Sequence, residues 1–378
     1  MYQQLVKGEK MVKALTLYGP GNLGVSNYEI PDDCEDGIIV DIIACGICGT
    51  DGHLIDGKME LNYPIIPGHE FYGKVSYIGK NNHVTSLNGE ICIGDIITVL
   101  PGKSCGECIY CKSISNAEEL CINRKTYGMS FNIKKTPYLG GGYAEKVYLT
   151  GNFSVYHIPQ DWPLGFGAIL ETVAVGVHAA DRAIEKTTPI DNRKLTAVII
   201  GAGAVGISVA LALINRGIDV SVIEPLDERR KLAKEIGVRN VYKSYDFDKT
   251  WLELFVNDLG GMKPDIVIEA AGKLETFEAA VNLTRRGGTV LELGNFVDIG
   301  DITVKPSYIC RNEITIVGSA LAPESSFSEA VDILNSIKDK SELFICPHFT
   351  LNEYKKAIDN LKKEKNGLKA VFVTGGAV

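Results

Sequence analysis

Apolar residues fall in two textures along the chain, and the change comes near residue 195. Before it, short apolar runs such as Gly37-Ile38-Ile39-Val40-Asp41-Ile42-Ile43 and Asp95-Ile96-Ile97-Thr98-Val99-Leu100 are broken by Gly, Pro and Asn. That is the texture of short strands joined by turns, and it predicts a β-rich first part. After it, strands and helices alternate. Ala197-Val198-Ile199-Ile200 reads as a strand and residues 205–216 as a helix closed by Gly217; residues 219–224 read as a second strand and 227–236 as a helix stopped by Gly237. Residues 265–269 and 289–293 read as further strands with a helical stretch between them. This alternation predicts a parallel sheet covered by helices. The tail predicts helices over 326–336 and 351–362 and a closing strand over 369–374. No internal repeat is evident.

One stretch tests that reading. Residues 195–214 carry no charge, and about 20 apolar residues are enough to cross a membrane. The stretch also holds a GxGxxG array, preceded by β-branched residues and followed by Ala and Leu. That order fits a buried strand, a tight turn and a buried helix, and no membrane span is expected. The opening residues Met1 to Lys7 lack the apolar core of a signal peptide. The chain is expected in the cytoplasm. Its net charge of −8 supplies no basic patch for a nucleic acid. At 378 residues it is long enough for two domains.

The glycine array lies where chemistry needs it. Gly201-Ala202-Gly203-Ala204-Val205-Gly206 follows a strand and opens a helix. Gly201 permits the tight turn, Gly203 lets backbone approach a pyrophosphate, and Gly206, just after Val205, lets helix and strand pack closely. The helix N-terminus offers free N–H groups to the phosphates. Glu224 stands 18 residues past Gly206 at the end of the next strand, where an acid hydrogen-bonds the adenosine ribose. A carboxylate there repels a 2′-phosphate, so NAD is favoured over NADP. Arg229 and Arg230, close behind it, soften that preference.

Ten cysteines in a cytoplasmic chain point to metal rather than to disulfides. Cys105, Cys108, Cys111 and Cys121 fall within 17 residues. Four thiolates so close suit a closed tetrahedral zinc site, ahead of a disulfide pair or an iron–sulfur cluster. A second set is dispersed: Cys45-Gly46-Ile47-Cys48-Gly49-Thr50-Asp51-Gly52-His53, then Pro67-Gly68-His69-Glu70, then Glu171. One thiolate, one imidazole and one carboxylate would leave a zinc position open for catalysis. By spacing alone, Cys45 and Cys48 read equally as small buried hydrophobes and His69 as a hydrogen-bonded core residue.

Together these residues resemble the zinc-containing medium-chain dehydrogenase/reductase family, which includes alcohol, sorbitol and threonine dehydrogenases. The likeness also rests on Gly140-Gly141-Gly142-Tyr143-Ala144-Glu145 and on the segment from Glu171 through Thr172-Val173-Ala174 to His178-Ala179. It runs from about Met11 to the C-terminus with the elements in order. It implies an α/β fold, a GroES-like β-rich catalytic domain plus a doubly wound Rossmann coenzyme domain. The boundaries expected are 1–172 completed by 319–378 for the first, and 173–318 for the second. The resemblance further implies Cys48, His69 and Glu171 as ligands of a catalytic zinc, with Cys45 not a ligand and Glu70 beside the metal. Asp51 would orient His69, and Thr50 and His53 would relay the proton through the cofactor ribose. The lobe cysteines would hold a second zinc, two per chain. The implied reaction moves hydride between the secondary hydroxyl of an alcohol or polyol and NAD, with NADP possible. Threonine, sugars and cyclitols remain alternatives, as does a non-catalytic dinucleotide-binding protein of structural or regulatory role. A homotetramer is expected, or a homodimer.

Three departures from the family pattern stand out. The run from Cys111 to Cys121 is longer, Thr172 replaces proline, and a segment precedes Met11, which makes Met11 an alternative start.

Overall fold

The structure, a computed structural model, describes residues 11–30, 34–114, 118–135, 139–243, 247–363 and 368–374. The segment before Met11 and part of the long run between Cys111 and Cys121 lie outside these. Contacts divide the chain into two compact units, one up to residue 171 and again from 338, the other residues 172–337.

The second unit is built on a six-stranded sheet, parallel throughout, in the order Asn240–Tyr242, Asp219–Ile223, Thr196–Ile200, Ile266–Glu269, Thr289–Glu292, Thr315–Gly318. In chain order that is 3-2-1-4-5-6, the doubly wound arrangement whose ligands bind where the order reverses. The uncharged stretch at 195–214 resolves into the strand Thr196–Ile200, a turn, and the helix Ala204–Asn215. Every residue of that helix from Gly206 to Leu213 is buried. A helix covered on all sides needs no polar face, which is why the sequence shows none there. Among the described residues no helix is long and apolar enough to cross a membrane.

The ends of the two central strands away from the glycine turn are pinned by a buried acid. Asp265 is fully buried and accepts from Thr196 N and Oγ1, Arg193 Nη2 and Arg285 Nε at 2.5–2.8 Å. Burial alone would raise its pKa, but the Thr196 backbone and the two guanidinium groups outweigh that and hold it low.

The return to the first unit was expected at 319, and the structure places it at 338. The helix Ser326–Ile337 packs on Ala204–Asn215 with Phe327, Ala330, Ile333 and Leu334 buried, and Glu329 binds the end of that helix. Its carboxylate accepts from Asn215 Nδ2 at 3.2 Å and Arg216 Nη2 at 2.8 Å.

The first unit holds an eight-stranded sheet. Its path runs Ile345–Phe349, Lys369–Val373, Gly37–Gly46, Phe71–Ile78, Ile96–Val99, Ser154–His157, Thr85–Ser86, and Lys146–Thr150 also pairs with Gly37–Gly46. Ile38, Val40, Phe71, Val147, Leu149 and Phe372 make its buried core. The closing strand Lys369–Val373 lies antiparallel to Gly37–Gly46, with Val371 opposite Gly46 and Phe372 opposite Cys45. The last strand of the chain therefore borders the loop that carries Cys48.

Candidate metal centres and dinucleotide site

Cys48 follows the strand Gly37–Gly46 and caps the helix Gly49–Ile55. Its backbone N–H donates to Asp51 Oδ2 at 2.8 Å, and the Tyr143 hydroxyl donates to the same oxygen at 2.6 Å. These two bonds fix the fully buried Asp51 carboxylate. The other oxygen, Asp51 Oδ1, lies 3.9 Å from His69 Nδ1. That is too long for the hydrogen bond expected between them. Both atoms are buried, and among the described residues neither has a hydrogen-bond partner.

Donor atoms of Cys48, His69 and Glu70 lie within 4.8 Å of one another. Glu171, in the first turn of the helix Leu170–Glu185, is not in that tight group. Its carboxyl belongs to the same electrostatic field. Burial pushes its pKa up and Glu70 adds to that, against the pull of His69, Lys369 and Arg124. Burial works against a charge on His69, but the Cys48 side chain and the acids Asp51 and Glu70 prevail and raise its pKa to about 10. A thiol and several acids around one imidazole thus form a pocket that attracts a cation. The donor types fit zinc, which accepts sulfur, imidazole nitrogen and carboxylate oxygen together.

The sequence did not reveal what holds Glu70. Lys369 Nζ donates to both its oxygens, at 2.7 and 2.8 Å, and both side chains are buried. The partners are 299 residues apart. Tyr143, the anchor of Asp51, stood inside a quoted motif, but nothing in the sequence gave it a role.

Thr50 Oγ1 lies 3.7 Å from Cys48 Sγ. His53, in the last turn of the same helix, has its pKa lowered, chiefly by burial and also by Lys58. Its imidazole is therefore neutral at neutral pH and able to take a proton. Cys45 is fully buried and its thiol is held well up by burial.

The lobe cysteines also converge. The sulfurs of Cys105, Cys108, Cys111 and Cys121 lie within 4.8 Å of one another. Cys105 Sγ accepts from the backbone N–H of Cys108 and Glu107 at 3.3 and 3.4 Å, and Cys121 Sγ from that of Cys105 at 3.1 Å. Such donors favour thiolate, and those from Glu107 and Cys108 lead in lowering the Cys105 pKa to about 6. Four sulfurs with amide support fit a closed zinc site.

In the second unit Gly201 takes φ +100°, as its turn requires, and a Cβ on Gly206 would sit 2.0 Å from the Gly201 carbonyl oxygen. A Cβ on Gly203 would meet only Arg229 Nη1, at 3.9 Å. The guanidinium of Arg229 thus lies over the turn where phosphates would sit. Glu224 is buried, and its two oxygens accept from Ala202 N at 2.8 Å and Leu226 N at 2.9 Å. It thereby braces the glycine turn.

Comparison with known proteins gives matches along nearly the whole chain. Residues 35–160 match the alcohol dehydrogenase GroES-like domain, and residues 204–336 match the zinc-binding dehydrogenase family. D-arabinitol dehydrogenase 1 of Uromyces fabae is 26% identical over 354 residues, 92% of this chain and 93% of that protein. Sorbitol dehydrogenase of Bacillus subtilis strain 168 is 26% identical over 370 residues, 96% and 97% of the two chains. Among solved structures, an alcohol dehydrogenase from Thermotoga maritima superposes with a TM-score of 0.86 at 27% identity, covering 96% of this chain and 99% of its own. A zinc-binding dehydrogenase from Sinorhizobium meliloti 1021, bound to NADP, superposes at 0.82 and 28% identity, covering 97% and 100%. Both units match in the family's own order, and the relatives align from end to end. The chain belongs to the zinc-containing medium-chain dehydrogenase/reductase family.

Proposed function

We propose that this dehydrogenase oxidises a secondary hydroxyl of a polyol with NAD, in a reversible reaction at the Cys48 centre. The observation that carries the reading is the convergence of the Cys48 and His69 donors with the Glu70 carboxylate, in the same electrostatic field as Glu171. The relatives named for arabinitol and sorbitol point to the substrate class. We assign Cys48, His69 and Glu171 as the zinc ligands. Glu70 has both oxygens on Lys369, which leaves Glu171 as the acid free to complete the set. When bound, zinc supplies Lewis-acid polarisation of the hydroxyl, and NAD supplies the hydride acceptor.

The chain's own residues do the rest. Thr50 Oγ1 accepts the hydroxyl proton as it passes its own onward, and the neutral His53 takes up the relayed proton and releases it to solvent. Asp51, held by Tyr143 and the Cys48 N–H, faces His69 and favours its orientation as a ligand. Gly201, Gly203, Val205 and Gly206 form the phosphate turn, Arg229 covers it, and Glu224 receives the ribose. We place the enzyme in the cytoplasm, as a homotetramer.

The deciding assay is NADH formation from NAD with zinc-replete protein, on polyols, sugars, simple secondary alcohols and threonine. Turnover with polyols is expected, and turnover with threonine alone would sink the substrate reading. The same preparation should contain about two zinc per chain by elemental analysis, one for each donor set. A protein active with no zinc would end the metal assignment. Glu224 sets a further expectation. A carboxylate at the ribose repels a 2′-phosphate, so KM should be lower for NAD than for NADP by about tenfold or more. The reverse order would show that Arg229 and Arg230 govern the site.

A further inference from the structure

A cavity of about 670 Å³ opens in the first unit beside the four-cysteine lobe. Small-molecule sites commonly occupy roughly 300–1,000 Å³. None of Cys48, His69, Glu70 or Glu171 lines it.

Its charge is one-sided. Lys103, Lys125 and Lys135 line it against a single acid, Glu107, in a chain whose net charge is −8. Lys103 and Lys125 are also cross-strand partners in the short ladder of Gly102–Lys103 with Lys125–Thr126. Two ammonium groups therefore leave one face of a two-stranded ribbon directly opposite each other, an arrangement that costs stability. Among the described residues none of the three lysines forms an ion pair. The fold thus carries a repulsion that a bound anion would remove.

The remaining wall suits a hydroxylated ring. Phe131 packs on Tyr127 at 4.7 Å and on Phe153 at 6.1 Å and is half-buried, so part of its surface faces the cavity. Asn152 and Ser104 also line the cavity, and among the described residues their side chains make no hydrogen bond.

We propose that this cavity is a second, non-catalytic binding site for a phosphorylated sugar. The phosphate sits between Lys103 and Lys125, with Lys135 adding charge. Asn152 and Ser104 receive hydroxyls, and the sugar's apolar face lies against Phe131. Lysine suits the task because its ammonium binds phosphate as a point charge.

The test uses the full-length, zinc-loaded enzyme saturated with NAD, so that the glycine turn is filled. Glucose 6-phosphate is titrated by calorimetry, with glucose as comparator. The wild type is expected to bind glucose 6-phosphate and not glucose. The double variant Lys103→Ala/Lys125→Ala is expected to bind about tenfold more weakly or worse. Lys103→Arg/Lys125→Arg keeps both charges and should stay within about threefold of wild type. Cys48→Ser should leave the affinity unchanged. No binding to the wild type overturns the proposal. So does an affinity that the alanine variant leaves intact, or one that Cys48→Ser abolishes, which would put the phosphate at the catalytic centre. Polyol turnover of the alanine variant should stay within about twofold, because the sites share no residue. Failure here is thereby separate from failure of the proposed reaction.

Discussion

The Cys48→Ser enzyme should turn over at on the order of a thousandth of the wild-type rate or less. Loss of Lewis-acid polarisation removes several kcal/mol of transition-state stabilisation, and each 1.4 kcal/mol or so is tenfold in rate. The fold should survive. Cys48 holds Asp51 through its backbone N–H, which serine retains, and serine is itself a good residue at the start of a helix. The four-cysteine lobe is untouched, so zinc content should fall from about two to about one per chain. NAD affinity should hold, because the glycine turn lies wholly in the second unit. His69→Ala should behave alike. Wild-type turnover in either variant, with one zinc lost, would show that the chemistry lies elsewhere.

Lys369→Met should be the most damaging single change to stability. It leaves the Glu70 carboxylate buried with its bidentate partner gone. Breaking one side of a buried ion pair costs about 3–5 kcal/mol, most of it the price of an uncompensated charge. That is a large share of the roughly 5–15 kcal/mol that holds a domain together. The Lys369 ammonium is charged throughout, for although burial opposes its charge, Glu70, Cys48 and Glu171 raise its pKa above the ordinary lysine range. Thermal or urea unfolding of Lys369→Met, Glu70→Gln and the double variant forms a cycle. The double variant is expected to recover most of the loss, because neither charge then remains. A Lys369→Met protein as stable as wild type would mean that Glu70 finds another partner.

What could be read in advance follows sequence distance. The glycine turn lies within six residues and the lobe cysteines within 17, so spacing alone displays their geometry. The strand–helix alternation likewise announces a parallel sheet, since each crossover helix follows its strand directly. The Cys48 centre needs three separate segments, and spacing leaves its residues indistinguishable from core. Only the family resemblance drew them together. Lys369 gave no signal at all: a lone lysine opening a strand reads as a solvated edge, and its burial depends on the strand entering between two others. The misjudged return point has a similar cause. The helix Ser326–Ile337 has an apolar face, and its pattern does not say against which unit Phe327, Ala330, Ile333 and Leu334 are buried. Glu224 was placed correctly at the end of its strand, but its bonds to Ala202 and Leu226 were not foreseeable because a carboxylate at that position suits a ligand equally well.

The interior position of the strand Lys369–Val373, between Ile345–Phe349 and Gly37–Gly46, bears on how the chain is made. Synthesis runs from the N-terminus, and domains fold as units while it proceeds. Everything in the second unit has left the ribosome before Lys338 follows, so the nucleotide-binding unit can close early and alone. The first unit waits. Cys48, His69 and Glu70 emerge early, but Glu70 meets the Lys369 ammonium only when that strand arrives, 299 residues later. Through most of its own synthesis the catalytic sheet lacks the strand between Ile345–Phe349 and Gly37–Gly46 and exposes a bare hydrogen-bonding edge. A chain cut before Lys369 would thus keep the whole second unit and leave Glu70 without the ammonium that holds both its oxygens.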